Sequence, residues 1–113
     1  MQRMKKGRIL HGVTIHNGIV YTAGLVADNL DADMAGQAQQ LCDKVDALLA
    51  EAGSDKTKII RVQIFVTDIS KKPEMDAVWL KWVGDDLPCR CTVGVSDLGD
   101  PRIHLEIVVT AAQ

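Results

Sequence analysis

Two stretches of the chain repeat aliphatic side chains at every second position, which is the period of a β-strand with one buried face. They are residues 60–66 and residues 103–110. Residues 34–52 instead repeat apolar side chains at spacings typical of an amphipathic helix. Ser70 and Pro73 open a second helix, whose inner face carries Met75, Val78, Trp79 and Trp82. A chain that interleaves these two periods has to pack helices against a sheet.

Further strand signals complete the predicted order of elements. Residues 8–15 and 19–23 flank Asn17-Gly18, a dipeptide typical of tight hairpins because both residues tolerate positive φ. Another strand, residues 91–95, follows the break at Leu87-Pro88. The predicted order is therefore β-β-α-β-α-β-β. This order indicates an α+β fold: one mixed β-sheet with two helices packed on one face.

The chain has 113 residues, which predicts a single domain over residues 1–113. Its formal net charge is −2, and its basic cluster is confined to Arg3, Lys5, Lys6 and Arg8. We expect that cluster to be a solvated N-terminal arm, and we expect no nucleic-acid partner. No apolar run approaches the ~20 residues of a membrane span, and the N-terminus lacks the apolar segment of a secretory signal. The expected location is cytoplasmic, with no membrane partner.

Standard catalytic signatures are missing from the sequence. It contains no serine elbow, phosphate-binding loop, dinucleotide glycine motif or His-Glu-x-x-His zinc motif, and its histidines are isolated. Cys89 and Cys91 lack the second ligand pair of a zinc site, so with Cys42 they are interpreted as structural or incidental thiols. Trp79 and Trp82 are interpreted as core or interface packing. No metal or cofactor is expected.

Arg90 and Glu106 are the candidate functional residues. Arg90 follows Pro88 at the entrance of a strand, and a guanidinium can hold a carboxylate through two parallel hydrogen bonds. Glu106 lies within the last strand and points away from the face that Leu105 and Ile107 bury. If the two strands are neighbours, both side chains could meet across one cleft. A structural salt bridge or two solvated side chains would explain the same residues.

A resemblance becomes visible around these residues. The run Pro-Cys-Arg-Cys-Thr-Val at positions 88–93, then Ser96 and Leu98, then Leu-Glu-Ile at positions 105–107, resembles the C-terminal signature of the YjgF/RidA (endoribonuclease L-PSP-like) family. The hairpin at 17–18, residues 21–24, the Gln-rich first helix and residues 62–68 agree in order. The segment 15–33 is closest to a short RidA-like subgroup.

The resemblance implies a chorismate-mutase-like sandwich that assembles as a homotrimer with clefts between subunits. It also implies hydrolysis of reactive 2-imino or enamino acids to 2-oxo acids and ammonia, with no cofactor. By position, Arg90 would hold the carboxylate of a small substrate, and Glu106 would orient the attacking water. Gly24 matches the glycine that lets the backbone approach the ligand.

The chain departs from the family pattern in the wall of the pocket. Leu10 stands where the enzymes carry a tyrosine, Ala23 replaces a serine, and Thr92 replaces a cysteine that is shifted here to Cys91. These four positions complete the predicted substrate-binding set. Two alternatives to a deaminase remain open at this point. One is a non-enzymatic carboxylate-binding or chaperone-like trimer, and the other, weaker because the chain is slightly acidic, is an endoribonuclease.

Overall fold

The computed structural model describes all 113 residues and contains one mixed sheet covered on one side by two helices. The strands are β1 (Gln2–Lys6), β2 (His11–His16), β3 (Ile19–Thr22), β4 (Ile59–Val66), β5 (Cys89–Gly94) and β6 (Leu105–Ala112). The helices are α1 (Met34–Glu51) and α2 (Lys72–Val83). The strand order is β1-β2-β3-β6-β4-β5, and only β4 and β5 are parallel. The predicted α+β class, with both helices on one face, is confirmed.

The N-terminal segment is not the solvated arm that the sequence predicted. It forms β1, an edge strand that pairs antiparallel with β2 from Gln2↔Ile15 to Lys6↔His11. Met4 packs against the core from this strand, while its basic side chains stay exposed. The prediction was wrong because backbone pairing and one buried side chain hold a strand whose composition is otherwise polar. The order of elements therefore gains a strand at its beginning.

The β2–β3 hairpin forms where Asn17-Gly18 predicted it. Asn17 and Gly18 have φ values of 51° and 75°, and His16 pairs with Ile19 across the turn. Both values lie in the left-handed region, which suits the twist of a two-residue hairpin. This turn places Val13, Ile15 and Val20 on the buried face of the sheet.

The alternation of buried and exposed residues in β4 differs from the predicted pattern at the start of the strand. Val62, Ile64 and Val66 are buried under the helices as expected, but Ile60 is exposed and Ile59 is buried in its place. The register against β6 shifts between Ile59 and Arg61, which turns the Ile60 side chain away from the core. From Val62 onward the alternation is regular.

The core lies between the sheet and the helices and is mostly aliphatic. Asp33 begins α1, since its side chain accepts a hydrogen bond of 2.8 Å from the backbone N–H of Gly36. Trp79 and Trp82 are both buried, with ring centroids 5.7 Å apart, as the packing interpretation predicted. Neither helix has the length and apolar content that crossing a bilayer would require.

Gln37 is a polar side chain within this core and is fully buried. Its Nε2 group donates to the carbonyls of Leu30, Ala32 and Arg102 at 3.2, 3.1 and 2.8 Å. Its Oε1 atom accepts from the backbone N–H of His104 at 3.0 Å. Gln37 therefore joins the loop before α1 to the loop that leads into β6.

We expect Gln37→Ala to lower the free energy of unfolding by about 2–4 kcal/mol, because it leaves buried backbone groups without partners and opens a cavity. Urea denaturation at matched protein concentration measures this difference. Gln39→Ala, on the exposed side of the same helix, is the control and should change the free energy by less than about 0.5 kcal/mol. Equal effects of the two substitutions would contradict the role given to Gln37.

Candidate functional site

Alternation along the strands sorts the candidate residues onto two faces of the sheet. Residues in register with the buried Val62 and Ile64 face the helices, and their chain neighbours face the opposite side, which no element of this chain covers. We call this second side the open face. On it lie Tyr21, Gln63, Phe65, Cys91, Val93, Glu106 and Val108.

Glu106 lies on the open face, as its position between Leu105 and Ile107 predicted. It pairs with Phe65 of β4 and is partly exposed, whereas both of its neighbours in β6 are buried. None of the ion pairs of the chain involves its carboxylate. The carboxylate is therefore available to a water, a ligand or another chain.

Gly24 lies directly against the Glu106 carboxylate. A Cβ atom at position 24 would stand 2.7 Å from Oε2 and 2.8 Å from Cδ of Glu106, closer than such atoms can approach. Gly24, which the resemblance predicted to give access to a ligand, thus also leaves room for the Glu106 carboxylate. The structure brings these two predicted site residues together.

A bulge at the end of β3 creates this contact. Tyr21 pairs with Thr110 and Leu25 with Ile107, so three residues on one side stand opposite two on the other. Thr22 repairs the interrupted ladder, because its buried Oγ1 atom accepts a hydrogen bond of 2.9 Å from the N–H of Val109. Its hydroxyl donates in turn to the carbonyl of Ala23 at 2.9 Å. Thr22 was not among the predicted site residues.

Arg90 faces the opposite way, toward the helices. It is in register with Val62, and its Nη2 atom donates to Oδ1 of Asp76 on α2 at 2.6 Å. Its guanidinium carbon lies 5.2 Å from the centroid of the Trp79 ring, within the range of a cation–π contact. Only one of its five N–H donors is used in the bond to Asp76, so the others remain for a ligand.

An open groove of about 250 Å³ lies beside this arginine. Its walls combine one ion pair with apolar surface and consist of Asp76, Trp79, Leu80, Leu87, Pro88 and Arg90. Arg90 is thus placed where a small molecule could reach its guanidinium, at the free edge of the sheet.

Asp76 stays ionised in this setting. Burial raises its pKa, but the hydrogen bonds from Lys72 and Arg90 together hold that pKa below its usual value. The Lys72 ammonium lies 2.6 Å from Oδ2, on the other carboxylate oxygen. Asp76 and Lys72 were missed at the sequence level. The i, i+4 spacing of Lys72 and Asp76 signals their mutual pair, but nothing local signals the contact of Asp76 with Arg90.

Arg90 and Glu106 do not meet within one chain. Strand β4 lies between their strands, and the two side chains project from opposite faces of the sheet. Strands β5 and β6 are therefore not neighbours, in contrast to the arrangement that the sequence analysis considered. A single cleft can contain both groups only if they come from two copies of the chain.

The remaining predicted residues divide between the same two places. Thr92 lies two residues after Arg90 on the helix side, and its buried hydroxyl oxygen has no hydrogen-bond partner in the chain. Cys91 is on the open face and partly exposed. Ala23 lies in the bulge, and its backbone N–H donates to the carbonyl of Gly12. Leu10 is exposed in the turn just before β2.

The third cysteine, Cys42, lies apart from both groups. It is part of the core between α1 and the sheet, and burial raises the pKa of its thiol to about 12. The thiol is therefore protonated at neutral pH and is a poor nucleophile.

Comparison with known proteins gives consistent matches along the chain. Residues 5–113 match the family model of endoribonuclease L-PSP. The RutC family protein YoaB of Escherichia coli is 38% identical over 101 residues, which cover 88% of this chain and 87% of that protein. A RutC family protein of Haemophilus ducreyi is 34% identical over 101 residues, covering 88% and 86% of the two chains.

The fold is also similar to solved structures. The crystal structure of a member of the YjgF protein family from Neisseria meningitidis superimposes with a TM-score of 0.94 at 28% identity. The match covers 99% of this chain and 93% of that one. The two-layer arrangement of one sheet and two helices is therefore common to both proteins.

We expect Gly24→Ala to displace the Glu106 carboxylate by about 1 Å, the shift that restores an ordinary carbon–oxygen contact. A crystal structure of the variant measures the shift. Because the displaced group is the end of a flexible side chain, the melting temperature should change by less than about 4 °C. Gly94→Ala, whose Cβ would meet nothing closer than 3.9 Å, is the control and should leave Glu106 in place. An unmoved carboxylate in Gly24→Ala would contradict the contact.

Proposed function

The chain belongs to the endoribonuclease L-PSP family, and from this premise we propose that it hydrolyses reactive 2-imino acids to 2-oxo acids and ammonia. The observation that carries the proposal is the division of the candidate residues between two surfaces. A guanidinium with free donors lies at one edge of the sheet, and an unpaired carboxylate lies on the open face. Together these groups supply what such a hydrolysis requires.

The proposed site forms between two protomers of a homotrimer. Arg90 of one protomer would lie beside Glu106 of the next, because the two side chains of one protomer point away from each other. The open face supports such an association, since it exposes 47% of Tyr21 and 44% of Val93 next to the partly exposed Phe65 and Val108. Exposed apolar side chains on an uncovered face of a sheet favour association with another copy.

Arg90 binds the substrate carboxylate in this proposal and fixes the position of the imine carbon next to it. Glu106 of the neighbouring protomer accepts a proton from a water molecule as the water oxygen bonds to that carbon. The same carboxylic acid then gives that proton to nitrogen, which completes a carbinolamine. Glu106 next accepts the hydroxyl proton of the carbinolamine and passes it to nitrogen. The carbon–oxygen double bond forms as the carbon–nitrogen bond breaks, and ammonia and the 2-oxo acid are released. A positioned carboxylate contributes about 10²–10⁴ to the rate of such proton transfers.

No metal or covalent nucleophile enters this proposal, because an imine carbon is already electrophilic. Orientation of the water and the imine can lower the barrier by several kcal/mol. The polar groups that would orient them are the donors of Arg90 and the carboxylate of Glu106. Gly24 contributes by its small size, which keeps space next to that carboxylate.

We expect the wild-type protein to intercept 2-iminobutanoate generated in situ by a threonine dehydratase. With semicarbazide present, interception lowers the rate of semicarbazone formation, which is followed by absorbance. Arg90→Ala should lower the interception rate about 30-fold or more, since a buried charge pair with the substrate is lost. Arg102→Ala, an exposed arginine paired with Asp100, is the matched control and should behave as wild type. Equal rates for wild type and Arg90→Ala would contradict the deaminase proposal.

Subunit mixing tests the location of the site between protomers. Arg90→Ala and Glu106→Gln should each be inactive alone, but refolding them together should restore about a quarter of the wild-type activity in randomly mixed trimers. The restored sites combine Arg90 of one protomer with Glu106 of its neighbour. Light scattering should report a trimer for wild type and both variants. A mixture of trimers that stays inactive would contradict a site divided between chains.

A further inference from the structure

Asp76 occupies a central position in the groove beside Arg90. Its side chain is 27% exposed, and each of its carboxylate oxygens accepts a hydrogen bond of 2.6 Å, one from Lys72 and one from Arg90. The Arg90 side chain is only 17% exposed and rests over the ring of Trp79. Two contacts from α2 thus fix the guanidinium at the edge strand before any ligand arrives.

The charges of this cluster leave one positive charge uncompensated. Lys72 and Arg90 carry two positive charges between them, and Asp76 carries one negative charge. The groove can therefore accept one further anionic group at Arg90. A second anionic group in the same groove would meet the Asp76 carboxylate, the only acidic side chain among its walls.

The remaining walls of the groove are apolar. Trp79, Leu80, Leu87 and Pro88 line it, and Leu80 and Leu87 are 61% and 62% exposed. A hydrocarbon tail extending from a carboxylate at Arg90 would cover this surface, which favours binding. A charged tail would lose its hydration there without gaining a partner.

We propose that Asp76 is a positioning residue for Arg90 and makes the groove selective for monocarboxylates with an apolar tail over dicarboxylates. The inference rests on the proposed function in one respect, namely that Arg90 is the group that binds the ligand carboxylate. It adds a residue that sets the specificity of this reaction: Asp76, which disfavours a second carboxylate in the groove beside Arg90.

Two stable ligands of equal chain length test this selectivity. The chains of 2-oxopentanoate and 2-oxoglutarate differ only in that the latter ends in a second carboxylate. Titration calorimetry at low ionic strength gives their dissociation constants for the full-length protein. Wild type should bind 2-oxopentanoate about tenfold more tightly than 2-oxoglutarate, and Asp76→Asn should reduce this preference roughly three- to tenfold. The asparagine keeps an acceptor for Arg90, so the binding of 2-oxopentanoate itself should persist.

Lys72→Met is the matched variant of opposite sign. It leaves the Asp76–Arg90 bond in place but removes the other cation, so the preference for 2-oxopentanoate should increase. Asp76→Leu, which removes the acceptor, should weaken the binding of both ligands. A merely structural role of Asp76 would not shift the preference in opposite directions in the Asp76→Asn and Lys72→Met variants, and unchanged ratios in both would overturn the proposal.

Arg90→Ala separates failure of this inference from failure of the proposed function. If 2-oxopentanoate binds wild type but not Arg90→Ala, the carboxylate-binding role of Arg90 stands, and the ratios alone decide the role of Asp76. If wild type binds neither ligand, or Arg90→Ala binds as well as wild type, both proposals are overturned.

Discussion

The antiparallel pairing of β4 with β6 is the constraint on which the rest of the molecule depends. It runs in register from Val62↔Val109 to Val66↔Leu105 at the centre of the sheet. Both strands alternate so that one face is wholly aliphatic, and the two helices cover that face. Glu106 falls between the buried positions of this alternation and is therefore directed to the open face. The parallel register of β5 places Arg90 level with Val62 and directs it toward the helices.

In the function we propose, the same ladder divides the site so that one chain cannot complete it. Its carboxylate half is built from β6 and the bulge after β3, and its guanidinium half from β5 and α2. Each half is well defined within the chain, by the Gly24–Glu106 contact on one side and the Asp76–Arg90–Trp79 cluster on the other. In the function we propose, association of protomers joins the two halves, so assembly and activity depend on the same interface.

Features that depend on local periodicity could be predicted from the sequence, and features that depend on register could not. The outward direction of Glu106 follows from its buried neighbours alone, and the hairpin follows from Asn17-Gly18. The direction of Arg90 depends on how β5 aligns with β4, which no local pattern encodes. No local pattern encodes the register shift at the start of β4 either. Nor does one encode the pairing of β1, which contacts the core only through Met4. The resemblance predicted a functional role for Gly24. The steric need for a glycine there comes from Glu106, which is distant along the chain.

Strand β1 has a consequence for how copies of this chain can approach one another. An exposed strand edge is a template on which another chain can add a strand, and such growth has no natural limit. Here that edge carries Arg3, Lys5 and Lys6 within a strand of five residues. Two such edges brought side by side would place like charges together without any acid in the strand to offset them. Open-ended polymerisation along this border is thereby disfavoured.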